Sequence, residues 1–223
     1  MAVLELRHIY KTYGGEEVLH DISLTLPEGE AIGIAGPNGC GKTTLLKIAA
    51  RIEQPDSGEV ILNGKAAMVP QDNLLLPWKT LRENILLALK PYSLSTAEAE
   101  RRLHMIAHQL DITEHLKKYP REVSGGTARK AALARALIVE PDILLLDEPY
   151  TGLDVASVNA LKEALRTLSK EKVSMIIVSH QLAELLGTVK RIHLLSHRPA
   201  RIIKTLAAGE GALETIVRSL YLH

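Results

Sequence analysis

The chain has 223 residues, 46% of them apolar, and its 27 Lys+Arg against 26 Asp+Glu leave a formal net charge of +1. That supports one large core, or a core with an inserted lobe, and leaves no room for two large domains. A near-neutral surface excludes charge-driven attraction to a polyanion, and the single cysteine excludes an internal disulfide.

Met1 to Arg7 lacks a basic stretch followed by a long apolar run, so no secretion signal is expected. Ile85 to Leu89 is the kind of apolar run present, far short of the roughly 18 residues that would span a bilayer. A membrane role would need a second chain to do the crossing. Phenylalanine is absent, leaving Leu, Ile, Val and Ala to fill the core.

In chain order, Val3 to Ile9 reads as a strand, Tyr13-Gly14-Gly15 as a turn, and Val18-Leu19 as the start of further strand. His20 to Leu26 alternates polar and apolar, as a strand with one wet face does. The apolar run Ala31 to Ala35 leads into Gly36-Pro37-Asn38-Gly39-Cys40-Gly41-Lys42-Thr43-Thr44, a glycine-rich turn opening a helix that continues toward Pro55. Gly58 to Leu62 is a strand ending in an Asn63-Gly64 turn, and together these early strands predict an antiparallel sheet. Ala66 to Val69 is a short strand delivering Gln71.

From about residue 80 to 132 the period becomes helical, with Leu103, Ile106, Ala107 and Leu110 on one face and Ser95 as N-cap of a capping signature with Glu98. A helical lobe is thus expected between two halves of an α/β core. Ile143 to Leu146 is apolar without interruption, as in a strand covered on both faces. Val158 to Leu168 reads as helix, Ser174 to Val178 as a buried strand ending at Ser179-His180, and Leu182 to Val189 as helix. Ile192 to Leu195 and Ala200 to Ile203 are short strands, and Leu213, Ile216, Val217 and Leu220 make the stripe of a last helix.

The glycine loop carries the clearest chemistry. Its backbone N–H groups can turn inward around a phosphate chain, Lys42 can reach β- and γ-phosphates, and the Thr43 hydroxyl is placed for Mg²⁺. Asp147 and Glu148 follow a buried strand: the first carboxylate suits the metal, the second a general base that polarises water. A second loop, Ser124-Gly125-Gly126, opens another helix with free N–H groups. Either it only caps that helix, or two copies meet head to tail and each loop binds the other's nucleotide. Cys40, beside Lys42 and a helix start, is expected to be thiolate-prone.

Taken together, these stretches resemble the nucleotide-binding subunit of ATP-binding cassette transporters. Gly36 to Thr44 resembles that family's Walker A, Ser124-Gly125-Gly126 its signature, and Ile143 to Glu148 its Walker B. Gly152-Leu153-Asp154 resembles the D-loop, Gln71 the Q-loop and His180 the switch histidine. The resemblance spans residues 1–223 as one cassette domain with the helical lobe at about 80–132. It implies a RecA-like P-loop NTPase core with an antiparallel β lobe and an inserted helical lobe. It further implies ATP and Mg²⁺ as cofactors, held between Walker A of one subunit and the signature of another.

By the same resemblance Tyr13 stacks on adenine with Val18 beside it. The nucleotide is held by Gly36, Asn38, Gly39, Cys40, Gly41, Lys42, Thr43 and Thr44, with Asp154 crossing the dimer interface. Gln71 senses Mg²⁺ and water, and His180 contacts the γ-phosphate. Catalysis would rest on Lys42, Gln71, Glu148 and His180, and the metal on Thr43, Gln71 and Asp147. The chain departs from the family at Thr127, where glutamine is usual, at Ala128-Arg129-Lys130, and at Gln181, where aspartate is common.

Gln71 to Thr80, with Leu-Pro-Trp inside it, and Leu195 to Ile202 resemble segments of importers for nitrate, sulfonates and taurine. That implies a homodimer or paired cassette at the cytoplasmic face of the membrane, integral permease subunits docking near Gln71 to Thr80, and a separate solute-binding protein. No nucleic acid partner is expected. A soluble cassette acting as a nucleotide-dependent clamp is the alternative, and it would favour a coiled-coil insertion, a second cassette or a basic face, none of which the sequence has.

Overall fold

Ile143-Leu144-Leu145-Leu146 needs no polar alternation because both its faces are covered. In the computed structural model, which describes residues 1–208, Leu144 and Leu146 join one buried cluster while Ile143 and Leu145 join the other. The same split separates Met175 and Ile177 from Ile176 and Val178. These runs are β6 (Ile143–Asp147) and β7 (Ser174–Ser179) of a six-stranded sheet completed by β3 (Ala31–Ala35), β5 (Ala66–Val69), β8 (Arg191–Leu195) and β9 (Ile202–Ala207). The order is β5-β6-β7-β3-β8-β9, parallel except where β9 returns antiparallel to β8.

A second, antiparallel sheet of order β2-β1-β4 is built from β1 (Ala2–Tyr13), β2 (Glu16–Pro27) and β4 (Ser57–Leu62). The two strands expected around Val18-Leu19 and His20-Leu26 are one 12-residue strand, and the register shifts near Ile9 and Lys11 let the hairpin bend without breaking. Asn63-Gly64 closes no hairpin. It carries the chain from β4 into the other sheet, where Asp142 Oδ2 accepts from Lys65 N at 2.7 Å and takes over the turn.

The helices are α1 (Lys42–Ala49), α2 (Leu81–Leu86), α3 (Thr96–Gln109), α4 (Gly125–Leu137), α5 (Val155–Lys170) and α6 (Leu182–Leu185). α2 begins at a full capping box between Thr80 and Glu83. Ser95 does cap α3 through Glu98 N at 3.2 Å, but the Glu98 carboxylate turns away to Arg101 and Arg102, at 2.7 Å each. Those hydrogen bonds, Arg101's foremost, hold Glu98 down at about 2. α6 stops at Leu185, short of the expected Val189, because Leu186 turns extended with ψ 137°. The helix expected over Leu213 to Leu220 lies outside the described residues.

Two cores flank the parallel sheet, one shared with α2 to α5 and the other with α1 and the antiparallel sheet. Among the described residues, Tyr150 is the largest fully buried side chain, and aliphatic residues do most of the remaining filling. Among the described residues, no helix is long and apolar enough to cross a membrane.

Candidate nucleotide site

β5, β6, β7 and β3 are neighbours running the same way, so their C-terminal ends share one edge of the sheet. Gln71, Asp147-Glu148, His180 and the Gly36 loop follow those four ends, which is why residues far apart in sequence meet. Gln71, Glu148 and His180 border a cleft of about 410 Å³ together with Asn38, Gly39, Gly41, Lys42, Thr43 and Thr44, and Asp147 reaches that wall through Thr43.

The loop is shaped from below. Gly41 has φ +119°, and a Cβ on it would sit 2.9 Å from Val18 Cγ1 and Leu19 Cδ2, so only glycine fits. Val18 is 2% exposed and forms that floor beneath Gly41. Lys42 Nζ donates to Gly36 O and Pro37 O, both at 3.0 Å, and lies 3.4 Å from Glu148 Oε1.

Cys40 corrects an expectation. Its side chain is buried, and burial pushes the thiol up by more than the nearby Lys42 cation pulls it down. It is a packing residue against Gly36, not an activated thiolate.

Thr43 Oγ1 donates to Asp147 Oδ2 at 2.8 Å, while Asp147 Oδ1, buried, has no hydrogen-bond partner among the described residues. Burial raises the Asp147 carboxyl, the Thr43 bond opposing. An orphaned hard oxygen beside a threonine hydroxyl fits Mg²⁺, which is held by one or two carboxylates plus phosphate oxygens.

Glu148 occupies the left-handed region at φ 44°, a conformation that costs on the order of 1–3 kcal/mol in a residue other than glycine. It is 6% exposed, and its carboxylate is held from two sides: Lys42 at Oε1 and, at 2.7 Å from Oε2, His180 Nδ1. The Gln181 side-chain amide lies 3.2 Å from His180 Nε2. An ionised carboxylate only accepts, so the 2.7 Å contact has His180 Nδ1–H donating to Glu148 Oε2. Gln181 is a neighbour of the His180 ring that the sequence showed only as a departure.

The second loop is organised by side chains of its own lobe and of α5. Ser124 Oγ accepts from Thr127 N at 3.2 Å and shares a hydrogen bond with Thr127 Oγ1 at 3.0 Å. A Cβ on Gly126 would lie 2.4 Å from Ser157 Oγ, so the glycine permits close approach of the two helices. Ser157 in turn donates from N to Asp154 Oδ1 at 2.8 Å and from Oγ to Oδ2 at 3.1 Å. Those bonds make Asp154 the N-cap of α5 and pull its carboxyl down. Ser124, Gly125 and Gly126 do not border the cleft that Lys42 and Glu148 share.

Tyr13 stands 44% exposed beyond Thr44, with Lys11 Nζ 5.3 Å from its ring centroid and its hydroxyl on Glu53. Gln71 is exposed at the cleft, and its carbonyl accepts from buried Arg129. Arg198, from the loop before β9, reaches the cleft by donating to Gly39 O at 2.6 Å and Glu16 Oε1 at 3.2 Å. Neither arginine was legible as part of the site, since nothing in spacing ties Arg129 or Arg198 to a particular carbonyl.

The family described as ABC transporter matches residues 19–151, more than half of the chain. The chain belongs to the ABC transporter family. Its cassette is 37% identical to the aliphatic sulfonates import ATP-binding protein SsuB of Bacillus licheniformis, over 85% of this chain and 76% of that one. It is 35% identical to the spermidine/putrescine import ATP-binding protein PotA of Chromobacterium violaceum, over 88% of this chain and 58% of that one. Among solved structures, the dimeric structure of MJ0796, a bacterial ABC transporter cassette, covers 92% of this chain and 99% of its own, with TM-score 0.83 and 27% identity. The cassette is an ATPase, and ATP is its nucleotide.

Proposed function

We propose that two copies of this cassette, or one copy and a paired cassette, close head to tail over ATP. Each closure would drive import of a small solute through separate membrane subunits. The observation that carries this reading is the incompleteness of each half: Lys42, Glu148 and His180 converge on one cleft, with Asp147 hydrogen-bonded to its Thr43, while Ser124-Gly125-Gly126 presents its N–H groups elsewhere. The dimeric MJ0796 cassette supports the pairing.

In this reading Lys42 exchanges its loop carbonyls for β- and γ-phosphate oxygens, and the loop's N–H groups cradle the chain. Thr43 and Asp147 would hold Mg²⁺, with Gln71 beside them, and the ion would supply positive charge against the phosphate chain. Glu148 accepts a proton from the attacking water at Oε2 or Oε1, and His180 orients that carboxylate while lining the γ-phosphate position. Ser124 and the glycines of the opposite copy close the far side, and Asp154 lies in the loop between the copies.

For the membrane side, Leu74 and Trp78 are 64% and 69% exposed in the segment after Gln71, and Arg135 pins that segment through Asn73 O and Leu74 O at 2.8 and 2.7 Å. Large apolar side chains held out on a braced loop suit a docking helix of a permease subunit. In this reading the cassette sits peripherally on the cytoplasmic face. The solute we propose is an aliphatic sulfonate, taurine, nitrate or a related small anion, supported by the sulfonate-importer relative and by the Gln71 to Thr80 and Leu195 to Ile202 segments.

Isolation of the native membrane complex tests both points. ATP hydrolysis stimulated by a binding protein loaded with sulfonate, taurine or nitrate supports the reading. Stimulation by a polyamine alone overturns the solute, and a Trp78→Ala chain that still co-purifies with permease subunits at full yield overturns the docking site.

A further inference from the structure

Arg129 sits on α4, in the turn that follows Ser124-Gly125-Gly126, yet its guanidinium belongs to two other segments. It is 4% exposed. Nη1 donates to Pro70 O at 2.7 Å, Gln71 O at 3.0 Å and Asn73 Oδ1 at 3.1 Å. On the other side Nε donates to Pro149 O at 3.0 Å, and Nη2 to Asp147 O at 2.9 Å and Glu148 O at 3.2 Å.

The hydrogen-bond acceptors are neutral oxygens, and the nearby Asp147 and Asp72 carboxylates add favourable charge without bonding to the guanidinium. Burial draws the guanidinium down only to about 10, and it stays charged at neutral pH. The segments it joins leave the C-terminal ends of β5 and β6, paired strands in which Val69 lies opposite Leu146. One segment carries Gln71, the other Glu148 in its left-handed conformation. A rigid planar fork can span both at once, whereas a lysine ammonium presents its donors from one point.

We infer that Arg129 is a positioning residue for hydrolysis: by gripping the backbone on both sides of Glu148 and at Gln71, it fixes their side chains relative to Lys42 and ties that geometry to the helix of the Ser124 loop. This rests on the reading of Glu148 as base given above. Arg129 touches no part of the reacting group, so its effect is on kcat. A small misplacement of a base lowers turnover steeply while leaving the phosphate grip of Lys42 and the glycine loop in place.

The test is steady-state ATP hydrolysis by the full chain carrying Arg129→Lys, Arg129→Gln or Arg129→Ala, with thermal unfolding measured alongside. Folded Lys and Gln variants are expected to lose kcat by at least about tenfold with KM for ATP changed by less than about twofold. Millimolar guanidinium ion is expected to restore part of the kcat of Arg129→Ala. A folded Arg129→Lys chain with full kcat overturns the inference. So does a KM that rises as far as kcat falls, or unfolding of all three variants, since either would assign the arginine to the general integrity of the fold. A parental chain without turnover, or a Glu148→Gln chain with parental turnover, would overturn the underlying reading instead.

Discussion

The two phosphate-type loops of this chain are finished to different degrees. The Gly36 to Thr44 loop lies on buried Val18 and Leu19, its lysine is 6% exposed, and its ammonium is engaged by two carbonyls and by Glu148. The Ser124 to Gly126 loop is open, and among the described residues Ser124 Oγ finds partners only within its own turn, in Thr127. A protein interior strengthens electrostatic contacts by excluding water, whereas an exposed hydroxyl must compete with it. On the proposed reading the first loop holds phosphate by itself. The second gains that power only when another surface covers it, which is the physical argument for the proposed pairing of two copies.

The strongest challenge to this contrast is Glu148→Gln. If the buried half supplies the base, the variant keeps ATP binding, loses turnover by about 10²-fold or more, and accumulates an ATP-bound dimer measurable by light scattering. Parental turnover, or a variant that stays monomeric with ATP and the membrane partner present, would break the comparison at its root.

Gly126→Ala strikes the open half. The added methyl would meet Ser157 Oγ at 2.4 Å and Ser157 Cβ at 2.8 Å, so α4 and α5 must part or the loop must tilt. Overpacking of this kind costs about 1–3 kcal/mol, and an effect near the lower end weakens ATP-dependent dimerisation about tenfold. Sedimentation in the Glu148→Gln background reads that loss, and pairing it with Ser157→Gly should recover part of it. Nucleotide affinity of the single copy should not move; if it falls equally, the two loops are not independent halves.

The same contrast governs what could be read in the sequence. Ile143 to Leu146 announces its own burial, and the glycines around Lys42 and the Asp-Glu pair after β6 follow from chemistry that tolerates few alternatives. β2 reads as two pieces in the sequence because Glu16 to Pro27 changes pattern at the bend near Ile9 and Lys11 of its partner strand, a property of pairing and not of either strand alone. The sequence around Cys40 argues for a thiolate through Lys42 and the helix start, while the burial that outweighs them comes from packing against the Gly36 loop, which the linear pattern does not show. Arg129 and Gln181 act on backbone carbonyls and on a ring nitrogen, partners that a linear pattern does not display. The candidate positions were largely legible, and the groups that orient them were not.

Thr127 offers the finest adjustment. Its hydroxyl lies 3.0 Å from Ser124 Oγ, which already accepts from Thr127 N, so Thr127 Oγ1 is the partner available within the turn for the Ser124 proton. Thr127→Val keeps the backbone cap and frees that proton to donate outward, toward a phosphate held by another copy. An exposed hydrogen bond is worth about 0.5–1.5 kcal/mol, and water takes back part of it, so the ATP-dependent dimer should tighten by roughly two- to threefold. Sedimentation again supplies the constant. A dimer weakened by Thr127→Val would instead mean that the threonine hydroxyl aims Ser124 at the phosphate, and the open loop would be more fully pre-built than its exposure implies.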